Sequence, residues 1–422
     1  MERDGGNFPF SMNLFCSLLL LGLIPFLYTL VRTNLIASIP STDGLSIAGH
    51  IEWFDLINET IQAFLIVPLY ALFNECIRDK NKFRDSVFQA FVVVNVVYII
   101  FSMIIFIRCS LIVSAMASER VDEVTGYLRL ETIGFIIANI VSFANVLFVV
   151  LKKPAYIYAM VILKTVFTLI GDLFLIPRFG VNGVAYSNIA VNFICAVLCL
   201  SVVFQLKPGA VSLRFDKSFL KRYLQIGFFS GIQIVLDNAI YSAIVCKMVN
   251  EVAEQGNYWV ANNIIWGLML IPISALAEII KKDCRDKLTA KKIVHYNIVI
   301  VSTYLIWLCF IPFLNPFLKN VMGIENFAAV RQILIVLIPF YFAYGYTILF
   351  DSILIGRGKT YYCFAISVIV NLVYYPIVYG LFLKGILKPG ITFICMMFGF
   401  GMVLHLVCSI ICVARYKSHF KR

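Results

Sequence analysis

The most informative feature of the sequence is a carboxylate, Asp237, in the middle of the apolar stretch "GFFSGIQIVLDNAIYSAIVCKMV" at 227–249. A charged side chain at the centre of a bilayer costs on the order of 3 kcal/mol or more, so it persists only where it has a function or a partner. Three other polar residues share its helix face, because they stand three or four positions apart: Ser230, Gln233 and Tyr241. This face predicts a site that binds a cation or a proton. The alternative is a structural carboxylate that is hydrogen-bonded to neighbouring helices.

Further acidic and amide side chains within apolar stretches are candidates for the same chemistry. Asp172 has Thr168 and Lys164 on its helix face, so an ion pair or a helix cap is the alternative to an ion-binding role. Glu131 is followed on its face by small residues, and this pattern suits close helix packing as well as function. The residues predicted to bind the cation or proton are Asp237, Asp172, Gln233, Asn188 and Glu131.

A second set of polar and aromatic residues could line a cavity for an organic ligand. Asn262 and Asn263 offer neutral oxygen ligands, which suit Na+ better than a proton, although interhelical hydrogen bonding is the alternative role. Tyrosine rings would favour planar cations through cation–π contacts, and the same rings could instead pack between helices. The predicted cavity residues are Tyr241, Asn262, Asn263, Tyr346, Asp351 and Asn34. No catalytic residue or metal site is predicted, because only His405 of the four histidines lies in an apolar stretch and no partner spacing suggests ligation.

The composition places these residues in a polytopic membrane protein. Of the 422 residues, 61% are hydrophobic and 14% are charged, and the mean hydropathy is +0.91. A soluble domain is about half apolar and about a quarter charged. A bilayer-crossing helix needs roughly 20 mostly apolar residues. By that measure the sequence predicts an all-α integral membrane protein with twelve spans, at 14–37, 51–76, 86–108, 127–151, 156–177, 182–205, 219–249, 258–281, 293–317, 330–353, 361–383 and 390–414.

Lysine and arginine are distributed unevenly between alternate loops. One set of loops, together with both termini, holds 24 of them, and the opposite set holds 8. Because cytoplasmic loops are the ones enriched in these residues, the bias predicts that both termini are cytoplasmic. The same distribution explains the formal net charge of +12 without a nucleic-acid partner. The twelve cysteines form no C-x-x-C pair and are interpreted as packing residues rather than disulfides or metal ligands.

The two halves of the chain contain an internal repeat. "VPLYALFNECIRDK" at 67–80 closes the second predicted span, and "IPISALAEIIKKDC" at 271–284 closes the eighth. At an offset of 204 residues, Pro68 matches Pro272 and Asp79 matches Asp283. A second pair, "KKPAYIY" at 152–158 and "GKTYYCF" at 358–364, has a slightly different offset. Two six-helix halves in the same orientation are typical of transporters built from parallel repeats.

Several motifs, in this order along the chain, resemble those of the multidrug and toxic compound extrusion (MATE) transporters. "FGVNGVAYSNIA" at 179–190 is similar to the Gly-x-x-Gly-x-Ala turn between the fifth and sixth helices of that family. Three further stretches resemble its fourth, seventh and tenth helices: "YLRLETIGFIIANIVSFANVLFVVLKKP", "IGFFSGIQIVLDNAIYSAIV" and "ILIGRGKTYY". The resemblance covers nearly the whole chain and extends to the flippase relatives of the family.

This resemblance implies two six-helix lobes arranged as a V around a central cavity: an N-lobe at 1–205, a cytoplasmic connector at 206–218 and a C-lobe at 219–422. It also implies export of organic, often cationic compounds across the plasma membrane by alternating access, driven by inward flow of Na+ or H+. Asp237 stands at the position of the acidic coupling residue of the seventh helix, and Asp172 fits the acid of the fifth. The implied partners are a small-molecule substrate and the lipid bilayer, with no obligate protein partner and no cofactor besides the coupling ion.

The sequence departs from the family pattern in two spans. The first-helix aspartate of the family has no counterpart, and the nearest residue is Asn34, beside Arg32. Tyr346 stands where some members have a tenth-helix aspartate, and Asp351 follows about one and a half turns later. These departures leave both Na+ and H+ open as the coupling ion.

Other functions remain alternatives to an antiporter. A flippase for lipid-linked saccharides is expected to carry several cations for pyrophosphate headgroups, whereas the only basic residues not already counted with the loops and termini are Arg32, Arg129 and Lys164. That balance favours neutral or cationic cargo. An integral-membrane transferase would present acidic or histidine clusters in sizeable loops, and the loops here are short, so an enzyme is not expected. A channel is disfavoured by the two-lobe repeat, which suits rocking between two states.

Overall fold

The computed structural model describes residues 11–37, 47–48, 50–116, 120–205, 217–252, 254–284, 288–322, 324, 326–387 and 390–418. Within these ranges all regular secondary structure is helical. The first six spans begin and end as follows: Met12–Ala37, Ile51–Leu65 continued by Val67–Cys76, Lys80–Met116, Val121–Val150, Pro154–Phe179 and Asn182–Gln205.

The second six spans are interrupted more often. The seventh is Lys217–Ile240 followed by Tyr241–Cys246 and Lys247–Glu251, and the eighth is Gln255–Ile264, Ile265–Met269 and Ile271–Asp283. The ninth is Ala290–Phe310 followed by Ile311–Phe313, Leu314–Pro316 and Phe317–Val321, and the tenth is Phe327–Gly356. The eleventh is Thr360–Val368, Ile369–Tyr374 and Tyr375–Leu383, and the twelfth is Ile391–Ser418.

These helices agree with the predicted spans. In the described part of the chain, ten helices are long and apolar enough to cross a membrane, and an eleventh candidate is the pair Asn257–Met269 and Ile271–Asp283, which is bent by 50°. The apolar helix Met12–Tyr28 is shorter. Large apolar side chains are exposed on the helix surfaces, with Leu111 and Ile306 each 66% exposed. The all-α membrane fold is therefore confirmed, and the helices are consistent with twelve spans.

The structure divides into two compact units. The first unit consists of the described residues within Cys16–Gly231, and the second of those within Met1–Phe15 and Ile232–Arg422. The division falls inside the seventh span. The predicted connector at 206–218 lies outside the described residues except for its last two positions, and the predicted lobe boundaries stay a prediction.

The internal repeat is visible in the backbone. The second span breaks at Ile66 and the eighth at Leu270, again 204 residues apart, and the segment after each break has a proline, Pro68 or Pro272, within its first two positions. Pro is compatible with the start of a helix because the first N–H groups have no intrahelical acceptor. The turn after the fourth span also matches the turn after the tenth, as the hydrogen bonds show.

Those two turns have the same hydrogen-bond pattern. Lys152 N–H donates to the Val149 carbonyl (3.1 Å), as Gly358 N–H does to the Ile355 carbonyl (2.8 Å). The next residue in each turn, Lys153 or Lys359, donates to the carbonyl five residues before it, in both cases at 2.8 Å. The φ angle is +55° at Lys152 and +66° at Gly358, so a non-glycine residue occupies the left-handed region only in the first turn.

Candidate functional site

In each unit, a cluster of largely buried polar side chains brings together residues that the sequence predicts as site residues. The first cluster, in the first unit, consists of Arg32, Glu131, Asp172 and Asn188 from the first, fourth, fifth and sixth spans. The second cluster, in the second unit, consists of Gln233, Asp237, Asp351, Ser367, Asn371, His405 and Ser409 from the seventh, tenth, eleventh and twelfth spans.

The first cluster is built around a buried ion pair. Arg32 Nε donates to Asp172 Oδ2 at 2.7 Å, and Arg32 Nη2 donates to Asp172 Oδ1 at 3.1 Å. The two side chains are only 15% and 3% exposed. This bidentate geometry is the strongest arrangement available to an arginine and a carboxylate. The ring of Tyr28 lies 5.5 Å below the guanidinium carbon. The partner of Asp172 is therefore Arg32, 140 residues away in sequence, rather than Lys164 on its own helix.

Asn188 connects that ion pair to Glu131. Its Oδ1 accepts a hydrogen bond from Arg32 Nη2 at 3.0 Å, and its Nδ2 donates to both carboxylate oxygens of Glu131, at 3.0 and 3.1 Å. Glu131 is 2% exposed and also accepts a hydrogen bond from Tyr127. The structure thus brings together three residues predicted as ion ligands, and it places a guanidinium among them.

Glycines allow the fifth and sixth spans to hold this cluster. Gly180, the first glycine of the "FGVNGVAYSNIA" turn, has a φ of +59° and a ψ of −140°, a conformation that L residues rarely adopt. A Cβ on Gly183 would meet the carbonyl of Leu175, and a Cβ on Gly171 would meet the hydroxyl of Ser187. The two helices therefore approach closely at Asp172 and Asn188, the residues next to Gly171 and Ser187.

Asp237 is held in the second cluster by neutral donors. Ser367 Oγ and Asn371 Nδ2 each donate to Asp237 Oδ1 at 2.6 Å. Gln233 Nε2 donates to Oδ2 at a longer distance of 3.5 Å. Asn371 Nδ2 also donates to Ser367 Oγ at 3.0 Å, so the two residues of the eleventh span form a pair one turn apart. Ser230, on the same helix face as Asp237, instead donates to the Ala63 carbonyl at 2.6 Å.

A second carboxylate in this cluster is paired with a histidine. His405 Nε2 lies 2.9 Å from Asp351 Oδ2, and Ser409 Oγ donates to Asp351 Oδ1 at 2.8 Å. These contacts join the tenth and twelfth spans. His405 also interacts electrostatically with Asp237. The side chains of His405 and Asp351 are 18% and 14% exposed, so both are largely buried.

Irregular helical segments accompany the second cluster. Asn371 lies within the π-helical segment Ile369–Tyr374, and Asp237 lies one turn before the π-helical segment Tyr241–Cys246. The other two π-helical segments of the described chain, Ile265–Met269 and Phe317–Val321, also belong to the second unit. A π segment inserts one residue into the helix and rotates the side chains that follow, and such segments are frequent at functional sites.

The remaining predicted cavity residues have different surroundings. The ring of Tyr241 packs against Phe398, with centroids 5.6 Å apart, and that of Tyr346 packs against Phe342 at 5.3 Å. Asn262 is partly buried and its Oδ1 accepts no hydrogen bond from the described residues, whereas Asn263 is exposed. The side chain of Asn34 lies outside the described part of the structure. Their predicted role in a cavity stays a prediction.

Sequence reasoning missed four members of the second cluster and the role of Arg32. Ser367 with Asn371, and His405 with Ser409, are pairs spaced by four residues within apolar stretches, the same signal that identified the face of Asp237. No group of three or more histidine, cysteine or acidic side chains in the described residues could hold a metal ion.

Comparison with known proteins identifies the fold. No protein-family model matches the sequence, and no functionally curated protein matches it. Solved structures do match. A MATE transporter in its straight conformation shares 15% sequence identity, with a TM-score of 0.80 over 97% of this chain and 96% of that one. A mutant of the Vibrio cholerae MATE transporter VcmN shares 16% identity, with a TM-score of 0.79 and the same coverage of both chains.

A transporter of the multidrug/oligosaccharidyl-lipid/polysaccharide (MOP) superfamily from Pyrococcus furiosus is similar to the same degree. Its identity is 15% and its TM-score is 0.79, over 97% of this chain and 96% of that one. The chain therefore has the fold of MATE transporters over nearly its whole length. At this level of identity the similarity concerns the fold, so the function has to be argued from the residues.

Proposed function

We propose that this protein is a secondary active transporter that exports organic cations in exchange for an inward-moving proton or Na+. The fold of MATE transporters and the internal repeat support alternating access between two facing states. The excess of 24 over 8 cationic residues supports cytoplasmic termini, with the plasma membrane as the location. The role is transport rather than catalysis.

The observation that carries this proposal is the neutral environment of Asp237. Its hydrogen-bond donors in the described structure are Ser367, Asn371 and Gln233, none of which carries a charge. A largely buried carboxylate that lacks a fixed cation is costly until a proton or a cation neutralises it. A proton, Na+ or a cationic cargo could each supply that charge, and mutual exclusion at one carboxylate is the simplest form of exchange.

Exchange also requires that the ligand distinguish between two states of the protein. A ligand shifts a conformational equilibrium only as far as its affinities for the two states differ. The donors to Asp237 come from the eleventh span, where Asn371 lies in a π-helical segment. Movement of this segment relative to the seventh span would change the number of donors around the carboxylate. We propose that this change gives the coupling ion its preference for one state.

Flipping of a lipid-linked saccharide is the second candidate function. The Pyrococcus furiosus transporter has a binding pocket of reverse polarity, which suggests a different function for that protein. In the present chain, Arg32 is already paired with Asp172, and Arg129 Nε donates to the Phe106 carbonyl at 3.4 Å. These engaged cations make a pyrophosphate headgroup the weaker fit, and the cationic cargo is preferred.

Reconstitution into proteoliposomes distinguishes the two functions. Ethidium uptake would be followed by fluorescence under an imposed pH gradient and, separately, under an imposed Na+ gradient of equal size. Gradient-driven ethidium movement in one of the two conditions is expected, and it would identify the coupling ion. Translocation of a fluorescent lipid-linked oligosaccharide, without any ethidium movement, would replace the antiporter by the flippase.

A further inference from the structure

The second cluster contains a titratable side chain that the proposed exchange at Asp237 does not use. His405 lies in the twelfth span, and its Nε2 is 2.9 Å from Asp351 Oδ2. Ser409, one turn further along the same helix, donates to the other oxygen of that carboxylate at 2.8 Å. Histidine is the side chain whose ordinary titration lies between pH 5 and 8. Its contact with Asp351 and its electrostatic interaction with Asp237 give that titration a consequence for ion binding.

The titratable groups around this histidine and its carboxylate partners come from four spans. Asp351 on the tenth span and Asp237 on the seventh are the charged side chains that interact with it. Cys363 on the eleventh span and Cys412 on the twelfth are thiols close to Asp351. Cys363 also interacts with Asp237 and stands one turn before Ser367 on the same helix face. The two carboxylates are therefore part of one electrostatic environment.

The charge of this environment depends on one proton at His405. With the imidazole protonated, one positive charge faces the two carboxylates, and the cluster carries a net charge of −1 if both are ionised. With the imidazole neutral, the net charge is −2. Because charges interact strongly in a partly buried site, the more negative form holds a cation at Asp237 more tightly.

We propose that His405 is the proton-binding residue of the second cluster, and that a proton on His405 and a cation at Asp237 weaken each other's binding. The inference rests on the proposed function, since it assigns the proton and the cargo of that exchange to two separate side chains. Coupling of this kind is reciprocal: the factor by which protonation weakens cargo binding equals the factor by which cargo weakens protonation. Cargo binding from one side therefore expels a proton, and protonation from the other side expels cargo.

Binding of ethidium to the purified protein between pH 5.5 and pH 8.5 tests this assignment. For wild type, the dissociation constant should fall by about tenfold or more in total as pH rises, within the limit of about tenfold per pH unit that one proton competing with one cation sets. In His405→Gln the amide can still donate to Asp351, so the fold is kept while the charge is lost. Its affinity should stay at the tight alkaline value and change less than about twofold across the range.

Two further variants complete the test. His405→Lys carries a fixed positive charge and should bind ethidium weakly at every pH. His295→Gln is the matched control, because His295 lies in the ninth span and is not a member of the second cluster; its Nδ1 is 2.8 Å from the Lys291 carbonyl, and this variant should behave as wild type. Titration calorimetry in two buffers of different ionisation enthalpy should show proton release on binding in wild type, and none in His405→Gln.

The outcomes separate this inference from the proposed function. If His405→Gln binds ethidium with the full pH dependence of wild type, the proton site is a carboxylate, and the role of His405 is overturned while cation transport stands. If wild-type protein fails to bind ethidium at any pH, both proposals fail. A thermal unfolding midpoint for each variant confirms that the protein remains folded.

Discussion

The two polar clusters contain similar side chains but balance their charges in different ways. In the first cluster, Asp172 is paired with the guanidinium of Arg32. Asn188 accepts a hydrogen bond from Arg32 and donates one to Glu131. In the second cluster, Asp237 receives hydrogen bonds from a serine and two amides, without a lysine or an arginine among its described partners. On the proposed function, the internal cation makes the first cluster a structural element, whereas the second cluster takes its cation from outside.

The helices of the two units differ as well as the charges of the two clusters. The two units share the break before a proline and the turn after the fourth or tenth span. The π-helical segments, by contrast, occur only in the second unit within the described chain, and two of them lie beside Asp237 and at Asn371. Regular helices hold the ion pair, and irregular helices surround the carboxylate that lacks a charged partner. The repeat therefore combines shared backbone features with two clusters of different charge balance.

Removal of the internal cation should have the largest effect on stability. Arg32→Gln leaves Asp172 and Glu131 as two buried carboxylates without a positive charge. Removing one partner of a buried ion pair typically costs about 3–5 kcal/mol. We expect a loss of this size in the free energy of unfolding, measured by SDS titration in mixed micelles. A loss below about 1 kcal/mol would show that the first cluster does not need its arginine.

A second substitution should restore much of that loss. Arg32→Gln combined with Asp172→Asn replaces the ion pair by two amides that can hydrogen-bond to each other. Replacement of both members of a buried pair is far less costly than removal of one. The double variant should be at least about 2 kcal/mol more stable than Arg32→Gln alone, with the same assay. Additive losses in the two single variants would contradict direct pairing in the membrane.

Substitutions in the turns after the fourth and tenth spans should have smaller effects on stability. Lys152 and Gly358 both have positive φ angles, which cost an L residue about 1 kcal/mol. Lys152→Gly should therefore raise the free energy of unfolding by about 0.5 kcal/mol, after the greater freedom of the unfolded glycine is subtracted. Gly358→Ala should lower it by about 1 kcal/mol. Changes of the same sign at both positions would mean that the turns are not equivalent.

Removal of the Asp237 charge should have only a small effect on stability. In Asp237→Asn the amide oxygen can still accept from Ser367 and Asn371, and Gln233 can rotate to accept from the new amide. Loss of a buried charge that has no fixed partner should leave the free energy of unfolding within about 1 kcal/mol of wild type. A loss as large as that of Arg32→Gln would make Asp237 a structural residue.

The helices and the repeat could be predicted from the sequence because they depend on local patterns. Apolar runs of roughly 20 residues define the spans, and the shared prolines define the repeat. The π-helical segments could not be predicted, since one inserted residue does not disturb an apolar run. At Tyr241–Cys246 nothing in the composition separates a π segment from an α-helix.

The candidate site could be predicted only in part. Polar residues within apolar stretches of the sequence identify four of the site residues: Asp237, Asp172, Glu131 and Asn188. The structure places the last three in one cluster. Their partners come from distant helices: Arg32 is 140 residues from Asp172, and Asn371 is 134 residues from Asp237. A periodic pattern identifies the face of a helix, but it does not say which other helix that face contacts. For this reason the sequence offers only Lys164, on the same helix face, for the alternative of an ion pair with Asp172, and it offers no partner for His405.

The most direct test of the account compares transport by two folded variants in the same proteoliposome assay. One is Asp237→Asn, and the other is the double variant of Arg32→Gln with Asp172→Asn. If coupling resides in the second cluster, Asp237→Asn should lose at least about 90% of gradient-driven ethidium transport, which corresponds to about 1.4 kcal/mol or more of lost transition-state stabilisation. The double variant should retain most of the wild-type transport rate. Transport at near wild-type rates by Asp237→Asn, together with its loss in the double variant, would contradict the account and assign coupling to the first cluster.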